Sequence, residues 1–91
     1  MKTLDFEEQL FLLSELKRRN LKAFSRLYHE FSPDLFMLAF NLINDEEESR
    51  KKVDELFISL WEENKFSDIT PPIHNYLYNE MRKICSTVPH E

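Results

Sequence analysis

The stretch Val53-Asp54-Glu55-Leu56-Phe57-Ile58-Ser59-Leu60-Trp61 decides the fold. Its apolar residues at positions 53, 56, 57, 60 and 61 follow the spacing i, i+3, i+4, i+7 and i+8, which places them on one side of an α-helix. The polar residues at positions 54, 55, 59, 62 and 63 point away from that side. The pattern predicts an amphipathic helix whose apolar face packs on the rest of the chain and whose acidic face meets water or a partner.

The composition indicates one folded domain, residues 1–91, with a modest core. The 91 residues are 42% hydrophobic and 13% aromatic, which is typical of a folded chain rather than a disordered one. The absence of glycine excludes glycine-rich nucleotide-binding loops. The single cysteine, Cys85, excludes an internal disulfide and a multi-cysteine zinc site.

No apolar run approaches the roughly 20 residues of a membrane span, and no signal peptide is recognisable, so we expect a cytoplasmic protein without membrane contact.

The distribution of charge argues against tight binding to duplex DNA. The net charge is −5, and the excess of acidic groups lies in residues 45–68, which carry nine acidic and four basic side chains. Binding to double-stranded DNA usually requires a basic face. We therefore expect the isolated domain to bind duplex DNA weakly at physiological salt.

The rest of the chain predicts an all-α bundle of about five helices with short connections. The first helix is expected over about 4–18, with Thr3 as its N-cap. Its expected buried residues are Phe6, Leu10, Leu13 and Leu16, and Phe11 and Leu12 widen this face enough to suggest contact with two neighbours. The second helix is expected over about 21–31.

Proline and capping residues predict where the remaining helices begin. Ser32 followed by Pro33 is typical of an N-cap and a first helical position, so a third helix is expected to begin there. Because apolar residues surround its axis, it should be the most buried element. Asp45 and Glu48 have capping-box spacing and predict a fourth helix that ends near Asn64. A loop over 65–70 and a fifth helix over about 72–86 complete the prediction.

The residue inventory does not support an enzyme. His29, His74 and His90 lie in different predicted elements, without the i, i+4 pairing or nearby cysteines of a convincing zinc site. Cys85 lies beside Ile84 on the last turns of a helix, a setting more typical of a buried structural cysteine than of a reactive thiol. We expect no catalytic residues, no metal and no cofactor.

Three ordered segments carry a resemblance to a known family. Residues 53–61 are similar to the Val-Gln-Glu-Val-Phe-x-x-Leu-Trp signature of region 2 in the extracytoplasmic-function sigma factors of bacterial RNA polymerase. Residues 16–24 (LKRRNLKAF) and Leu27-Tyr28 resemble the family's Leu-x-x-Gly-Asp-x-x-Ala-Phe and Leu-Tyr. Tyr76-Leu77-Tyr78 and Arg82 resemble its Trp/Tyr-Leu-Phe/Tyr-x-x-Ala-Arg-Asn. The resemblance covers about residues 10–86 and implies a sigma region 2-like fold.

The resemblance implies a docking face for the polymerase β′ coiled coil on the fourth predicted helix. The residues expected to meet the coiled coil are Lys51, Asp54, Glu55 and Glu62. The family's Gln falls at Asp54, and the following Glu is kept as Glu55. Where the family usually has Ala-Glu-Asp, this chain has Ser49-Arg50-Lys51, so two acidic positions are basic. Trp61 lies with the apolar residues and is expected in the core rather than at the contact.

The resemblance also implies capture of unpaired bases from the opened −10 strand of promoter DNA. The residues expected to line the base pocket are Asn64, Phe66, Ser67 and Asp68, and those expected to meet the DNA backbone are Asn79, Arg82 and Lys83. Arg82 matches the family's arginine, whereas Lys83 replaces its usual Asn. A denser basic cluster is formed by Lys17, Arg18, Arg19, Lys22 and Arg26. It either complements helix dipoles and the acids of the fourth predicted helix or binds a nucleic acid or another partner.

Two functions follow from these observations. The first is a sigma region 2 domain that binds core RNA polymerase and recognises the −10 element during transcription initiation, with an anti-sigma factor as a possible further partner. The second is a degenerate sigma-like protein-interaction module that does not initiate transcription, which residues 49–51 and the weakly basic fifth helix favour. Full members of the family carry a second helical DNA-binding domain, region 4, after a linker. No such domain is recognisable in these 91 residues, so we expect either a fragment of a longer sigma factor or a free-standing domain. A plain helical adaptor with chance similarity ranks last.

Overall fold

A computed structural model describes residues 4–86. This part of the chain contains four α-helices and one short 3₁₀ helix, and it contains no β-strand. The helices are α1 (Phe6–Lys17), α2 (Leu21–Ile43), α3 (Glu46–Glu62) and α4 (Ile73–Cys85), with the 3₁₀ helix at Lys65–Asp68 between α3 and α4. The predicted all-α class is confirmed, but the predicted number of five helices is too high by one.

The second and third predicted helices are a single helix in the structure. α2 runs from Leu21 to Ile43 and contains Pro33 in its interior. A proline at this position removes one helical hydrogen bond at a cost of about 3 kcal/mol. Leu27 on one side of Pro33 and Leu35 on the other are both fully buried. Because α2 packs against α1, α3 and α4 along its length, burial of both halves offsets the cost of the proline.

The second half of α2 is also less enclosed than the sequence predicts. Leu35 and Ala39 are fully buried, but Met37 and Leu42 are exposed. Phe36 and Phe40 stack on each other and are only partly buried. The apolar residues that surround this part of the helix therefore do not all have neighbours in the described part of the chain.

The structure corrects the start and the buried face of α1. The N-cap is Asp5, which accepts a hydrogen bond from the Glu8 amide and forms a capping box with it. Thr3, the predicted cap, lies outside the described residues. Leu12, Leu13 and Leu16 are buried, whereas Phe6 and Leu10 are exposed. α1 packs against two neighbours, α2 and the 3₁₀ helix, as predicted, but they cover only part of the predicted face and leave Phe11 exposed as well.

Helix ends in this glycine-free chain use residues with side chains in the left-handed region. Arg19, Asn44 and Asn64 have φ values of 64°, 61° and 51° and follow the ends of α1, α2 and α3. Asparagine tolerates this region better than most residues, but arginine does not favour it. The Arg19 side chain is held by α3: its guanidinium donates to the Trp61 carbonyl and lies 4.0 Å above the Trp61 ring. This contact accompanies the sharp turn between α1 and α2.

The core is one continuous cluster centred on aromatic side chains. Phe24 of α2 contacts Phe57 and Trp61 of α3 and Phe66 of the 3₁₀ helix, with ring centroids 4.9 to 6.2 Å apart. Trp61 is only partly buried but belongs to this cluster, as its position on the apolar side predicts. The cluster connects α2 and α3 with the chain that leads to α4, and it thereby sets which face of α3 remains outside.

Candidate functional site

The outward side of α3 gathers all four residues predicted to bind polymerase. Lys51, Asp54, Glu55 and Glu62 are exposed, and Ile58 is exposed among them. The buried residues of α3 lie on the opposite side of the helix: Val53, Leu56, Phe57 and Leu60. With 3.6 residues per turn, positions 51, 55, 58 and 62 fall within an arc of about 60°, and Asp54 borders it. We call Lys51, Asp54, Glu55, Ile58 and Glu62 the α3 stripe.

Ile58 is the residue of this site that the sequence analysis missed. Its side chain is 54% exposed and lies at the middle of the α3 stripe, one turn from both Asp54 and Glu62. Together with Phe24, Tyr28, Asp54 and Phe57 it lines a shallow groove of about 290 Å³ between α2 and α3. The available signal was an apolar, β-branched residue on the acidic side of an otherwise clean amphipathic pattern. The stripe therefore has an apolar centre with charges around it.

Tyr28 holds one carboxylate of the stripe in place. The Tyr28 hydroxyl donates to Asp54 Oδ1 over 3.1 Å, and its ring packs on Phe57 with centroids 4.9 Å apart. Burial raises the pKa of the Tyr28 hydroxyl, and the hydrogen bond to Asp54 raises it further. The phenol therefore remains a donor at neutral pH. Asp54 is thus turned towards α2, at the edge of the stripe.

The basic residues that depart from the sigma pattern are paired along α3. Arg50 lies 2.9 Å from Glu46, and Lys51 lies 3.8 Å from Glu48. Lys52 pairs with Glu55 at 3.0 Å, and hydrogen bonding to Glu55 raises the pKa of Lys52. Exposed pairs of this kind contribute little stability, but they reduce the local charge. Lys51 is therefore a paired cation at one end of the α3 stripe.

Ser49 belongs to the core rather than to the docking face. Its side chain is fully buried, and its hydroxyl donates to the Asp45 carbonyl over 2.6 Å. It lies on the same side of α3 as Val53 and Leu56. Of the three departures from the sigma-family pattern at residues 49–51, the one at Ser49 therefore does not change the surface that a partner meets.

The structure corrects the predicted base pocket at Phe66. Its side chain is 0% exposed and packs between Phe24 and Trp61, with ring centroids 6.1 and 6.2 Å away. A ring enclosed in this way does not stack on a base in this conformation. Asn64, Ser67 and Asp68 are exposed around it, so the polar residues of the predicted pocket lie on the surface without an aromatic platform at Phe66.

The predicted backbone-binding residues do not form one basic patch with the 3₁₀ helix. Asn79, Arg82 and Lys83 are exposed on α4, where Arg82 donates to Asn79 and Lys83 pairs with Glu80 at 3.3 Å. Burial chiefly raises the pKa values of Tyr76 and Tyr78. Arg82 lines a groove together with Leu42 at the end of α2, Cys85 and Ser86, and no residue of the 3₁₀ helix belongs to that lining.

The N-terminal basic cluster is divided by its contacts. Arg19 is engaged with Trp61, as described above. Arg18 lies 3.9 Å from Glu15, and Arg26 lies 3.9 Å from Glu8, so two of the cations are paired with acids of α1. Arg19 is therefore held by a contact within the chain, and Arg18 and Arg26 lie beside acids of α1 rather than beside acids of α3, as the sequence analysis had considered.

The histidines and Cys85 are the remaining candidates that the sequence offered for a metal site or a reactive group. His29 and His74 are exposed on different helices, and His90 lies outside the described residues. Cys85 is buried, its Sγ lies 3.6 Å from Met81 Sδ, and burial raises the pKa of its thiol, as expected of a structural cysteine. Within residues 4–86, no three His, Cys, Asp or Glu side chains are arranged to hold a metal ion. In the same part of the chain, no helix has both the length and the apolar character to cross a membrane.

The comparisons with known proteins identify no relative of this chain. No protein-family model matches it, and neither the curated proteins nor the solved structures contain a significant match.

Proposed function

We propose that this chain is a sigma region 2-like domain that binds the β′ coiled coil of core RNA polymerase through the α3 stripe. In this proposal it contributes to recognition of the opened −10 strand, and the polymerase supplies the chemistry. One observation supports the proposal most strongly. The four residues assigned to docking from the sequence resemblance lie together on one exposed side of α3, around the exposed side chain of Ile58.

The composition of the stripe suits a helical partner with basic side chains. Interface energy is usually concentrated in a few central, well-packed residues that surrounding polar contacts shield from water. Ile58 occupies that central position, and Asp54, Glu55 and Glu62 provide the charged surroundings. The groove beside Ile58, lined by Phe24 and Phe57, offers space for an apolar side chain from the partner. Complementary charge then sets the orientation and increases the association rate.

Binding of the purified chain to the isolated β′ coiled coil from the same organism tests this proposal. We expect Ile58→Lys to weaken binding at least about tenfold, equivalent to about 1.4 kcal/mol, because it removes the apolar centre of the stripe. Met37→Lys is the matched control: Met37 is 55% exposed, against 54% for Ile58, but it lies on α2 away from the stripe. Fluorescence anisotropy or calorimetry measures both affinities.

Two results would contradict the proposal. One is equal binding by the Ile58→Lys and Met37→Lys variants, which would place the contact elsewhere. The other is a wild-type chain that is folded and does not bind the coiled coil at all. The second result would favour the alternative function, a degenerate sigma-like interaction module that does not initiate transcription.

The alternative function has one specific observation in its favour. Phe66, the aromatic residue expected to stack on an unpaired base, is enclosed by Phe24 and Trp61. Arg82 and Lys83 are also paired with neighbours on their own helix. A module of this kind would keep the α3 stripe as a protein-binding surface and would not contact promoter DNA.

A further inference from the structure

A second surface of the molecule has the opposite charge to the α3 stripe. It is a groove of about 310 Å³ between α1 and α2, whose floor is formed by Leu12, Ala23 and the 64% exposed side chain of Phe11. Lys22 and Arg26 provide cations at its edge, and Glu15 is its acidic lining residue. We call it the α1–α2 groove. It has an apolar floor and a mainly basic edge in a chain whose net charge is −5.

We propose that the occupant of the α1–α2 groove is the α3 stripe of a second copy of this chain. The two surfaces are complementary in their apolar side chains and in their charge. Ile58 is an exposed apolar side chain with the size to contact the exposed ring of Phe11. The carboxylates of Glu55 and Glu62, one turn on either side of Ile58, meet Lys22 and Arg26, and Glu55 exchanges its 3.0 Å pair with Lys52 for this contact.

The cations of the groove are available for such a contact. Arg26 lies 3.9 Å from Glu8, at the outer limit of an ion pair, and both side chains are more than 40% exposed. Glu15 accepts a hydrogen bond from Asn20 over 2.8 Å and is only 23% exposed, so its carboxylate is already engaged within the chain. Exposed, loosely paired groups exchange partners at little cost in free energy.

The geometry requires two copies. Ala23 lines the α1–α2 groove, whereas the next residue, Phe24, lines the groove beside Ile58 on the other flank of α2. The first half of α2 therefore separates the two surfaces, and a chain does not place its own stripe in its own groove. Contact between unlike surfaces of two copies is head-to-tail, and it leaves one free groove and one free stripe at the ends.

The expected association is weak and depends on salt. One helix in one groove buries less area than a stable interface requires, which is typical of transient contacts. At about 0.1 M salt the Debye length is about 10 Å, so added salt screens the exposed charges and shifts the balance to single chains. If the proposed function is correct, this contact also covers the polymerase-binding stripe. The self-association itself does not depend on that function.

A mixing experiment with two charge-reversal variants tests the proposal. The groove variant, Lys22→Glu with Arg26→Glu, keeps an intact stripe, and the stripe variant, Glu55→Lys with Glu62→Lys, keeps an intact groove. We expect the wild type at low salt to increase in mass above the 11.1 kDa of one chain as its concentration rises towards the millimolar range. Each variant alone remains a single chain. An equimolar mixture of the two forms a dimer of twice that mass, because the intact stripe of one variant binds the intact groove of the other. The dimer does not grow further, because its two free surfaces are the altered ones.

Sedimentation velocity provides the masses, and circular dichroism verifies that each variant is folded. The matched control is Arg82→Glu with Lys83→Glu, which changes the net charge as the groove variant does but lies on α4. We expect it to associate like the wild type. A wild type that stays a single chain at low salt, a control that loses association, or a mixture that stays unpaired overturns the proposal. Binding of the groove variant to the β′ coiled coil tests the polymerase stripe separately.

Discussion

Gln9 connects two segments that are far apart in the chain. α4 begins after Pro72, which provides no side-chain cap for the first amides of the helix. Gln9 Oε1, from α1, accepts a hydrogen bond from the Ile73 amide over 2.8 Å, across 64 residues of sequence. Gln9 Nε2 donates to the Leu4 carbonyl over 3.0 Å. One side chain therefore satisfies the start of α4 and ties it to the chain that precedes α1.

We expect Gln9→Ala to lower the free energy of unfolding by about 1 to 2 kcal/mol, because it leaves a partly buried amide at Ile73 without its acceptor. Gln9→Glu is the matched variant, because it retains the acceptor for Ile73 but loses the donor to Leu4. Its free energy of unfolding should therefore lie between those of Gln9→Ala and the wild type. Urea unfolding followed by circular dichroism measures all three. An Ala variant as stable as the wild type would show that water replaces the bond without loss.

At the level of elements, α2 determines the arrangement of the other helices. It packs against α1, α3 and α4, and its first half already contacts both α1, through the groove at Ala23, and α3, through Phe24. The sequence pattern at Ser32 and Pro33 predicts a break, and a break would leave two shorter helices free to reorient. In the structure the helix continues, and Pro33 lies on an exposed side while Leu35 faces the core. The proline is thus accommodated where its ring does not displace a packed side chain.

Two substitutions distinguish a continuous α2 from two helices. In a continuous helix, Pro33→Ala restores a backbone amide and should raise the free energy of unfolding by about 1 to 2 kcal/mol, after allowance for the more flexible unfolded chain. Ser32→Ala should be neutral or slightly stabilising, because alanine is the better helix former. If Ser32 were an N-cap, its removal would instead cost about 1 kcal/mol, and Pro33→Ala would give no gain. Urea unfolding curves of both variants decide between the two arrangements.

At the level of the whole molecule, every resolved pKa shift has the same direction. Burial is the main cause of the raised pKa values of Tyr28, Tyr76, Tyr78 and Cys85. Hydrogen bonds to glutamates are the main cause of the raised pKa values of Lys52 and Lys65. The folded state therefore binds these protons more tightly than the unfolded state. Their contribution to stability is complete below the unfolded pKa values and is lost as pH rises through the folded ones.

We therefore expect the free energy of unfolding to fall as pH rises above about 9, where the unfolded cysteine and then the tyrosines and lysines begin to lose protons. Urea unfolding at a series of pH values between neutral and about 11 measures this slope. Tyr76→Phe keeps the ring and removes the ionisable hydroxyl, so it should make the alkaline loss shallower. A wild-type stability that stays constant across this range would contradict the expectation.

The features that the sequence alone determined are those that depend on local periodicity and capping. The apolar positions Val53, Leu56, Phe57 and Leu60 are on the buried side of α3, since a helix repeats every 3.6 residues whatever its neighbours are. Asp45 begins α3 because its side chain bonds to the amide of Glu48, three residues away. The exposed positions of Lys51, Asp54, Glu55 and Glu62 follow from the same periodicity, whereas the exposure of Ile58 among them became apparent only in the structure.

Only the tertiary structure decided the features that depend on what packs against each element. α2 continues through Pro33 because burial on both sides of the proline offsets its local cost. Phe66 is in the core because Phe24 and Trp61 enclose it, although its local sequence reads as a loop. α1 exposes Phe6 and Leu10 because its neighbours, α2 and the 3₁₀ helix, cover only part of its apolar face. Neighbours distant in sequence set these outcomes, and local patterns do not encode where those neighbours lie.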